Sequence, residues 1–315
     1  MIMKVLITTK LAQKGIDIVK AAGFEAVTML DLSEAELAKV IGDYDALIIR
    51  SESKVTANVL ASPGKLKAVA RAGVGVDNVD VAAATKKGIV VMNTPGGNTM
   101  SAAEHTFALM LALSRHIVPA STSLKAGKWD RKQFMGSQLN KKVLGVIGLG
   151  RIGLAVAKLS SGFNMKVLGY DPLVTPPDAK KLGIEIVDSV ERIYKEADYI
   201  TVHVPKNEKT LNMIGAQQIA MMKPTVRLIN TARGGIINQD ALYDALEQKR
   251  IAGAALDVYP EEPPKDTRFI KYDNCLVTPH LAASTHEAQI EVAVEAAQLV
   301  VDFLQGKPAR NTVKA

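Results

Sequence analysis

The chain has 315 residues, 48% hydrophobic, 23% charged and only 4% aromatic, with a formal net charge of +7; it is long enough for two cores and has the balance of a soluble globular protein. Its one cysteine, Cys275, excludes an intrachain disulfide. No stretch has the make-up of a signal peptide or the roughly 20 apolar residues of a membrane helix, so a cytosolic location without a membrane partner is expected. The lysines are dispersed rather than gathered into an aromatic-laced stripe, which argues against a nucleic-acid partner and suits a local pocket for an anionic substrate.

Along the first hundred residues, short apolar runs alternate with helical stretches. Strands are expected at Lys4–Thr8, Glu25–Leu30, "DALIIR" ending at Arg50, "KAVARAG" ending near Arg71, and "GIVVMNTPGGN", which breaks up at Pro95. Leu11–Ala22 reads as a helix, and "SEAELAKVI" as another, opened by a capping box of Ser33 with Glu36. Such alternation predicts an α/β fold with a doubly wound parallel sheet. "SAAEHTFALMLALSRHI" follows as an apolar helix capped by Ser101 with Glu104, and residues 124–139 read as a basic loop holding the only tryptophan, Trp129.

A second alternating pattern begins at Lys142. Strands are expected at Lys142–Ile147, Lys166–Tyr170, Tyr199–Val204, Val226–Asn230, Ala252–Val258 and Cys275–Thr278, with a weaker one at Ile184–Val187. The tail is a long amphipathic helix with Gly306 and Pro308 as stop signals, expected to pack back on the first sheet. The first strand of this second pattern runs into "GLGRIG". Gly148 permits a tight turn, Gly150 lets the backbone approach a pyrophosphate, and Gly153 brings the helix close to the strand. The main-chain N–H groups of Arg151 and Ile152 would face the phosphates at a helix N-terminus. About 20 residues on, Asp171 ends the next strand, where a carboxylate accepts from ribose hydroxyls and repels a 2′-phosphate; NAD is therefore expected over NADP. Another glycine pair, Gly73 and Gly75, lacks the third glycine and reads as a strand-end loop able to touch substrate.

Ligands of open α/β sheets gather at the carboxyl ends of strands. Those ends carry His203, Arg233, Asp257 with Glu262 after it, and His280. Arginine can hold a carboxylate and polarise a carbonyl, histidine can carry a proton, and an acid can fix the imidazole tautomer. Together they suit hydride transfer at a 2-hydroxy or 2-keto acid. His203 by itself reads as structural, as do the helical His105, His116 and His286.

"GLGRIG", "YDP", "HVP", "NTARGGIIN", "ALDVYPEEPP" and "TPHLAAST" together resemble the D-isomer-specific 2-hydroxyacid dehydrogenases over nearly the whole chain. The resemblance implies a Rossmann NAD domain, 97–282 with a dimerisation helix and loop, inserted into a flavodoxin-like substrate domain of 1–96 and 283–315. It implies that Arg233 binds the substrate carboxylate and keto oxygen, that His280 is the acid/base and Glu262 its partner, and that Asp257 lies near the nicotinamide amide. The cofactor set it implies adds Val204, Pro205, Thr210, Thr231, Ala232, Ala282 and Ala283, with His203, to the glycine turn and Asp171. The substrate set adds Arg50, Ser51, Arg71, Gly73, Val74, Gly75 and Asn98, and a basic loop with Arg131 and Lys132 that reaches the substrate phosphate of a second subunit. "RAGVGVDNVD" and "GKWDRKQFMG" point within the family to a phosphorylated hydroxy acid on the way to serine, oxidised by a homodimer or homotetramer with no metal. A glyoxylate or hydroxypyruvate reductase and an NAD(H)-sensing corepressor-like protein are the alternatives. Val74 and Val204 stand where relatives often place a hydroxyl residue. Longer members carry a C-terminal serine-sensing module, and with the sequence ending at Ala315 no serine feedback through it is expected.

Overall fold

Short apolar runs, most of them followed by a helix, fold as parallel strands rather than hairpins. The computed structural model describes residues 2–173, 177, 179 and 181–314. The chain divides into two units, Met1–Asn98 with Ala283–Ala315, and Thr99–Ala282.

The first unit contains β1 (Lys4–Ile7), α1 (Gln13–Ala21), β2 (Glu25–Thr28), α2 (Glu34–Val40), β3 (Ala46–Ile49), β4 (Ala68–Arg71), α3 (Val81–Lys86) and β5 (Val90–Asn93). All five strands are parallel, in the order β2-β1-β3-β4-β5, the flavodoxin-like arrangement. Strand alternation sends Val5 and Ile7 to one face and Leu6 to the other, so both faces bury apolar side chains. The capping box at Ser33 and Glu36 forms as expected, each residue's side chain bonding the other's N–H.

The second unit contains α4 (Thr99–Ser114), α5 (Ile117–Lys125), β6 (Val143–Ile147), α6 (Arg151–Ser160), β7 (Lys166–Tyr170), β8 (Ile184–Ile186), α7 (Val190–Glu196), β9 (Tyr199–Val202), α8 (Ala216–Ala220), β10 (Arg227–Asn230), α9 (Gln239–Glu247), β11 (Gly253–Leu256) and β12 (Cys275–Val277). Its seven parallel strands are ordered β12-β11-β10-β9-β6-β7-β8, the doubly wound order of a Rossmann sheet. The final helix, α10 (His286–Leu304), belongs to the first unit and packs Val292, Ala296 and Val300 onto its sheet.

Two expectations at the start of the second unit are corrected. Ser101 does not cap α4; the helix starts at Thr99, and Ser101 sits within it with its side chain buried. The first two residues of the expected 124–139 loop, Leu124 and Lys125, instead end a helix, Ile117–Lys125, set off from α4 by His116 in the left-handed region, with Pro119 tolerated in the first turn, where no intrahelical N–H bond is required. Several strands also end one or two residues earlier than their apolar runs. Arg50, His203, Val258 and Thr278 thus lie just past the strand ends at the carboxyl edges, where His203 N still donates to Ile147 O at 2.7 Å and Thr278 N to Leu256 O at 3.0 Å. Among the described residues no single helix is long and apolar enough to cross a membrane.

Candidate active site

In the second unit the turn between β6 and α6 is shaped by what its glycines leave out. Gly148 has φ +96°, and a Cβ there would lie 2.6 Å from the carbonyl oxygen of His203. A Cβ on Gly153 would come 2.0 Å from the oxygen of Gly148, whereas one on Gly150 would meet nothing within 4 Å. Gly148 therefore lets the turn pack against the end of β9, Gly153 lets the helix close on the turn, and Gly150 keeps open space in front of the backbone. Gly150 is the N-cap of α6 and offers no side-chain acceptor, so the N–H groups of Arg151, Ile152 and Gly153 have no intrahelical partner. That cradle fits a pyrophosphate. Beside it, Asp171 accepts from Leu149 N through Oδ2 and from Leu173 N through Oδ1, both at 2.9 Å, which fixes the carboxylate at the end of β7.

The loop after β9 carries His203, Val204, Pro205 and Thr210. Burial pushes the His203 imidazole down to about 4, so it is neutral at pH 7, with Nε2 2.9 Å from Thr201 Oγ1. The Thr210 hydroxyl donates to Pro205 O at 2.6 Å and accepts from Asn207 N at 2.8 Å, tying it into its own turn.

After β10 the chain turns through Thr231, Ala232 and Arg233. Asn230 holds this turn, accepting from Ala232 N at 3.1 Å and donating to Arg233 O at 2.9 Å, while Thr231 Oγ1 lies 2.8 Å from Thr106 Oγ1. A Cβ on Gly234 would fall 1.8 Å from the backbone of Tyr259. That close approach brings the Arg233 turn against the loop that bears Glu262. The Arg233 guanidinium donates to Ala232 O at 2.7 Å, and its charge helps to lower the pKa of Glu262.

Glu262 Oε2 stands 2.6 Å from His280 Nδ1, and Glu262 Oε1 accepts from Tyr259 N at 3.1 Å. Burial alone would raise this carboxyl, but the bonds from His280 and Tyr259 N and the neighbouring positive charges bring it below the usual carboxylate range. An anion at Glu262 holds a proton on Nδ1 and leaves Nε2 of His280 to exchange one.

Asp257, expected beside the nicotinamide, is fully buried. Its Oδ1 accepts from Thr278 Oγ1 at 2.6 Å and Leu281 N at 2.7 Å and lies 3.2 Å from His105 Nε2; Oδ2 accepts from Ala282 N at 2.8 Å. Burial pushes this carboxyl up, and these donors more than offset it, so its pKa is lowered. In the structure both of its oxygens are spent on the loop around His280.

In the first unit, Arg50 and Arg71 stand at the ends of β3 and β4. The Arg50 guanidinium donates to Gln289 Oε1, and Asn78 Nδ2 donates to Arg50 O at 2.8 Å and to Ser53 O at 2.6 Å, which orders the loop containing Ser51. Gly73 has φ +149°, and a Cβ there would sit 1.5 Å from Arg71 Nη1. The loop through Val74 and Gly75 is held by Asn93 Nδ2, which donates to Val74 O at 2.5 Å. Asn98 closes this unit, and its Oδ1 is buried without a hydrogen-bond partner among the described residues. Ala283 also lies here, its carbonyl accepting from Gln289 Nε2. Arg131 and Lys132, in the second unit, are exposed on a short 3₁₀ turn, Arg131–Phe134.

The structure thus brings together Glu262 and His280, with the Arg233 turn against their loop, and separately Arg50 with Gln289 and Arg71 with Gly73. Sequence reasoning missed the residues that support these groups: Asn230, Tyr259, His105, Asn78, Asn93 and Gln289. Asn230 could have been found, since a strand-end asparagine before a glycine-rich turn is a ready backbone partner; the others carry no local signal.

The family model for "D-isomer specific 2-hydroxyacid dehydrogenase, NAD binding domain" matches residues 107–282. A D-3-phosphoglycerate dehydrogenase of Synechocystis sp. is 48% identical over 98% of this chain and 56% of its own length. One from Archaeoglobus fulgidus is 46% identical over 99% of this chain and 59% of its own length. The chain spans a little over half the length of these curated relatives. Among solved structures, the NAD+-bound 3-phosphoglycerate dehydrogenase of Entamoeba histolytica superposes with a TM-score of 0.85 at 27% identity, covering 100% of this chain and 99% of that one. The domain that holds the glycine turn is an NAD-binding domain, and its cofactor is NAD.

Proposed function

Because the chain belongs to the D-isomer-specific 2-hydroxyacid dehydrogenase family, we propose that it oxidises 3-phospho-D-glycerate to 3-phosphohydroxypyruvate with NAD, the first step of serine synthesis. The observation that carries this reading is the 2.6 Å contact between Glu262 and His280, on the loops next to the Arg233 turn, in a sheet that also holds the dinucleotide cradle. Bound NAD supplies the hydride acceptor. The N–H groups of Arg151 and Ile152 bind its pyrophosphate, and Asp171 takes the adenosine ribose hydroxyls and repels a 2′-phosphate.

Arg233 orients the substrate carboxylate with its forked donors and stabilises the carbonyl oxygen as it forms. His280 Nε2 takes the hydroxyl proton as the hydride leaves C2, and the resulting imidazolium is stabilised by ionised Glu262 on Nδ1. Reduction runs the same proton back. We assign Arg50, Arg71 and Asn98 to substrate binding, and Arg131 and Lys132 as cations for its phosphate.

We assign a cytoplasmic homodimer, alone or paired into a tetramer. Support comes from the arm that follows α4: α5 buries none of its residues, and Ile117, Leu124, Trp129 (79% exposed) and Met135 (84% exposed) leave an apolar surface suited to a second copy. Arg131 and Lys132 lie between Trp129 and Met135, and we assign them to the phosphate of a partner's substrate.

The test is a set of initial rates with NADH against 3-phosphohydroxypyruvate, hydroxypyruvate and glyoxylate at matched concentrations. A strong preference for the phosphorylated acid is expected. Equal or better rates with the unphosphorylated acids would make this a general hydroxyacid reductase.

A further inference from the structure

We propose that His105 is a positioning residue for His280, acting through Asp257; the catalytic half of this proposal rests on the reaction assigned above. His280 has φ +53°, in the left-handed region that a non-glycine residue enters at a cost. It sits in a turn between β12 and α10, where its N–H donates to Thr278 O at 3.1 Å and Thr278 N donates to Leu256 O at 3.0 Å. The Asp257 carboxylate spans the rest of the turn. Asp257 grips Thr278 on one side of His280 and the N–H groups of Leu281 and Ala282 on the other. From the neighbouring loop, the Tyr259 hydroxyl donates to Thr278 O at 2.9 Å.

A fully buried carboxylate can do this only if its lone pairs stay engaged. Thr278 Oγ1 has spent its one proton on Asp257 Oδ1, so it can only accept from His105. His105 Nε2, 3.2 Å from both Asp257 Oδ1 and Thr278 Oγ1, therefore presents its N–H to the two of them at once. Among the described residues, His105 is the only ionisable side chain hydrogen-bonded to Asp257. It projects from α4, whose apolar side chains pack into the core against β6 and its neighbours. A core helix thus fixes the carboxylate, the carboxylate fixes the turn, and the turn points the imidazole of His280 at Glu262.

The decisive experiment compares His105→Phe, which keeps a flat ring but removes the N–H, with His105→Gln, whose amide restores a donor. His105→Leu repeats the removal if the phenyl ring is not accommodated. With NADH and 3-phosphohydroxypyruvate, the Phe variant should lose about 10- to 100-fold in kcat, with KM and the NADH dissociation constant within about twofold of the original chain. The Gln variant should recover most of the loss. Amide hydrogen exchange at Leu281 and Ala282 should speed up by about tenfold or more in the Phe variant and return with Gln, while the β6 amides stay protected. The proposal is overturned if the Phe and Leu variants keep kcat within twofold with unchanged Leu281 and Ala282 exchange, or if Gln is as impaired as Phe. The unaltered chain failing to reduce any of these 2-keto acids would sink the assigned reaction instead. The exchange measurement needs no turnover and would still decide whether His105 holds this turn.

Discussion

The carboxyl edge of the first sheet presents two guanidinium groups, Arg50 just beyond β3 and Arg71 at the end of β4. That of the second presents a glycine turn, a fixed carboxylate and the Glu262–His280 pair. Both edges arise from the same βα alternation, and both bring loop residues to the place where parallel sheets hold ligands. They differ in how charge is treated. Arg50 bonds to the neutral amide of Gln289, which leaves its positive charge to attract an anion. At the second edge carboxylates are met by imidazoles, Glu262 by His280 and Asp257 by His105. A cation held by a neutral amide suits binding; a carboxylate hydrogen-bonded to an imidazole suits proton transfer, because it stabilises the imidazolium as the proton arrives.

Three experiments would break or sharpen this contrast. The largest effect is expected from His280→Asn, which removes the proton carrier at the second edge. Its kcat should fall by about 1,000-fold with NADH affinity, read by fluorescence, unchanged. Near-normal turnover would remove the paired edge from the chemistry. A smaller and different loss is expected from Gly73→Ala at the first edge. The added Cβ meets Arg71 Nη1 at 1.5 Å and must push the guanidinium aside, while φ +149° strains the backbone. The KM for 3-phosphohydroxypyruvate should rise by about tenfold, one decade of lost binding, with NADH affinity intact. An unchanged KM would mean that Arg71 does not bind substrate.

The smallest effect is on stability in acid. Glu262 and Asp257 have lowered pKa values in the folded chain, so the stability they contribute is full above the unfolded carboxyl values of about 4 and is lost as pH falls through the folded ones. His203, lowered to about 4 from 6.5, is neutral when folded and takes up a proton first when unfolded, so its contribution is lost between those two values as pH falls. Urea midpoints should therefore decline gently from pH 6.5 and more steeply below 4. A midpoint that stays flat from about pH 7 to about 4 would mean that His203 is not buried as a neutral ring.

Much of the fold was legible because its signals are local. Apolar runs separated by helices identified both sheets, and β7 has the bounds read from its alternation alone. Errors fell where a residue's role depends on distant parts. Ser101 followed by Glu104 has the spelling of a cap, yet its position in the core makes it an interior helical residue. Strand patterning ran on through His203 and Val204 and could not show that the paired register ends at Val202, with one last bond from His203 N to Ile147 O, because that is set by the neighbours β6 and β10.

The chain's own sequence determined the alternation that makes two parallel sheets, the glycine turn with its following helix, and the strand-end positions of Arg233, Glu262 and His280. Each of these rests on residues within a few positions of one another, where backbone sterics and periodicity act. Tertiary structure alone decided that Asp257 turns inward to grip the His280 turn, and that His105, 152 residues away along the chain, reaches it from a core helix. A hydrogen bond between such distant side chains leaves no period or motif behind, and exists only once the core has packed the helix that carries its donor.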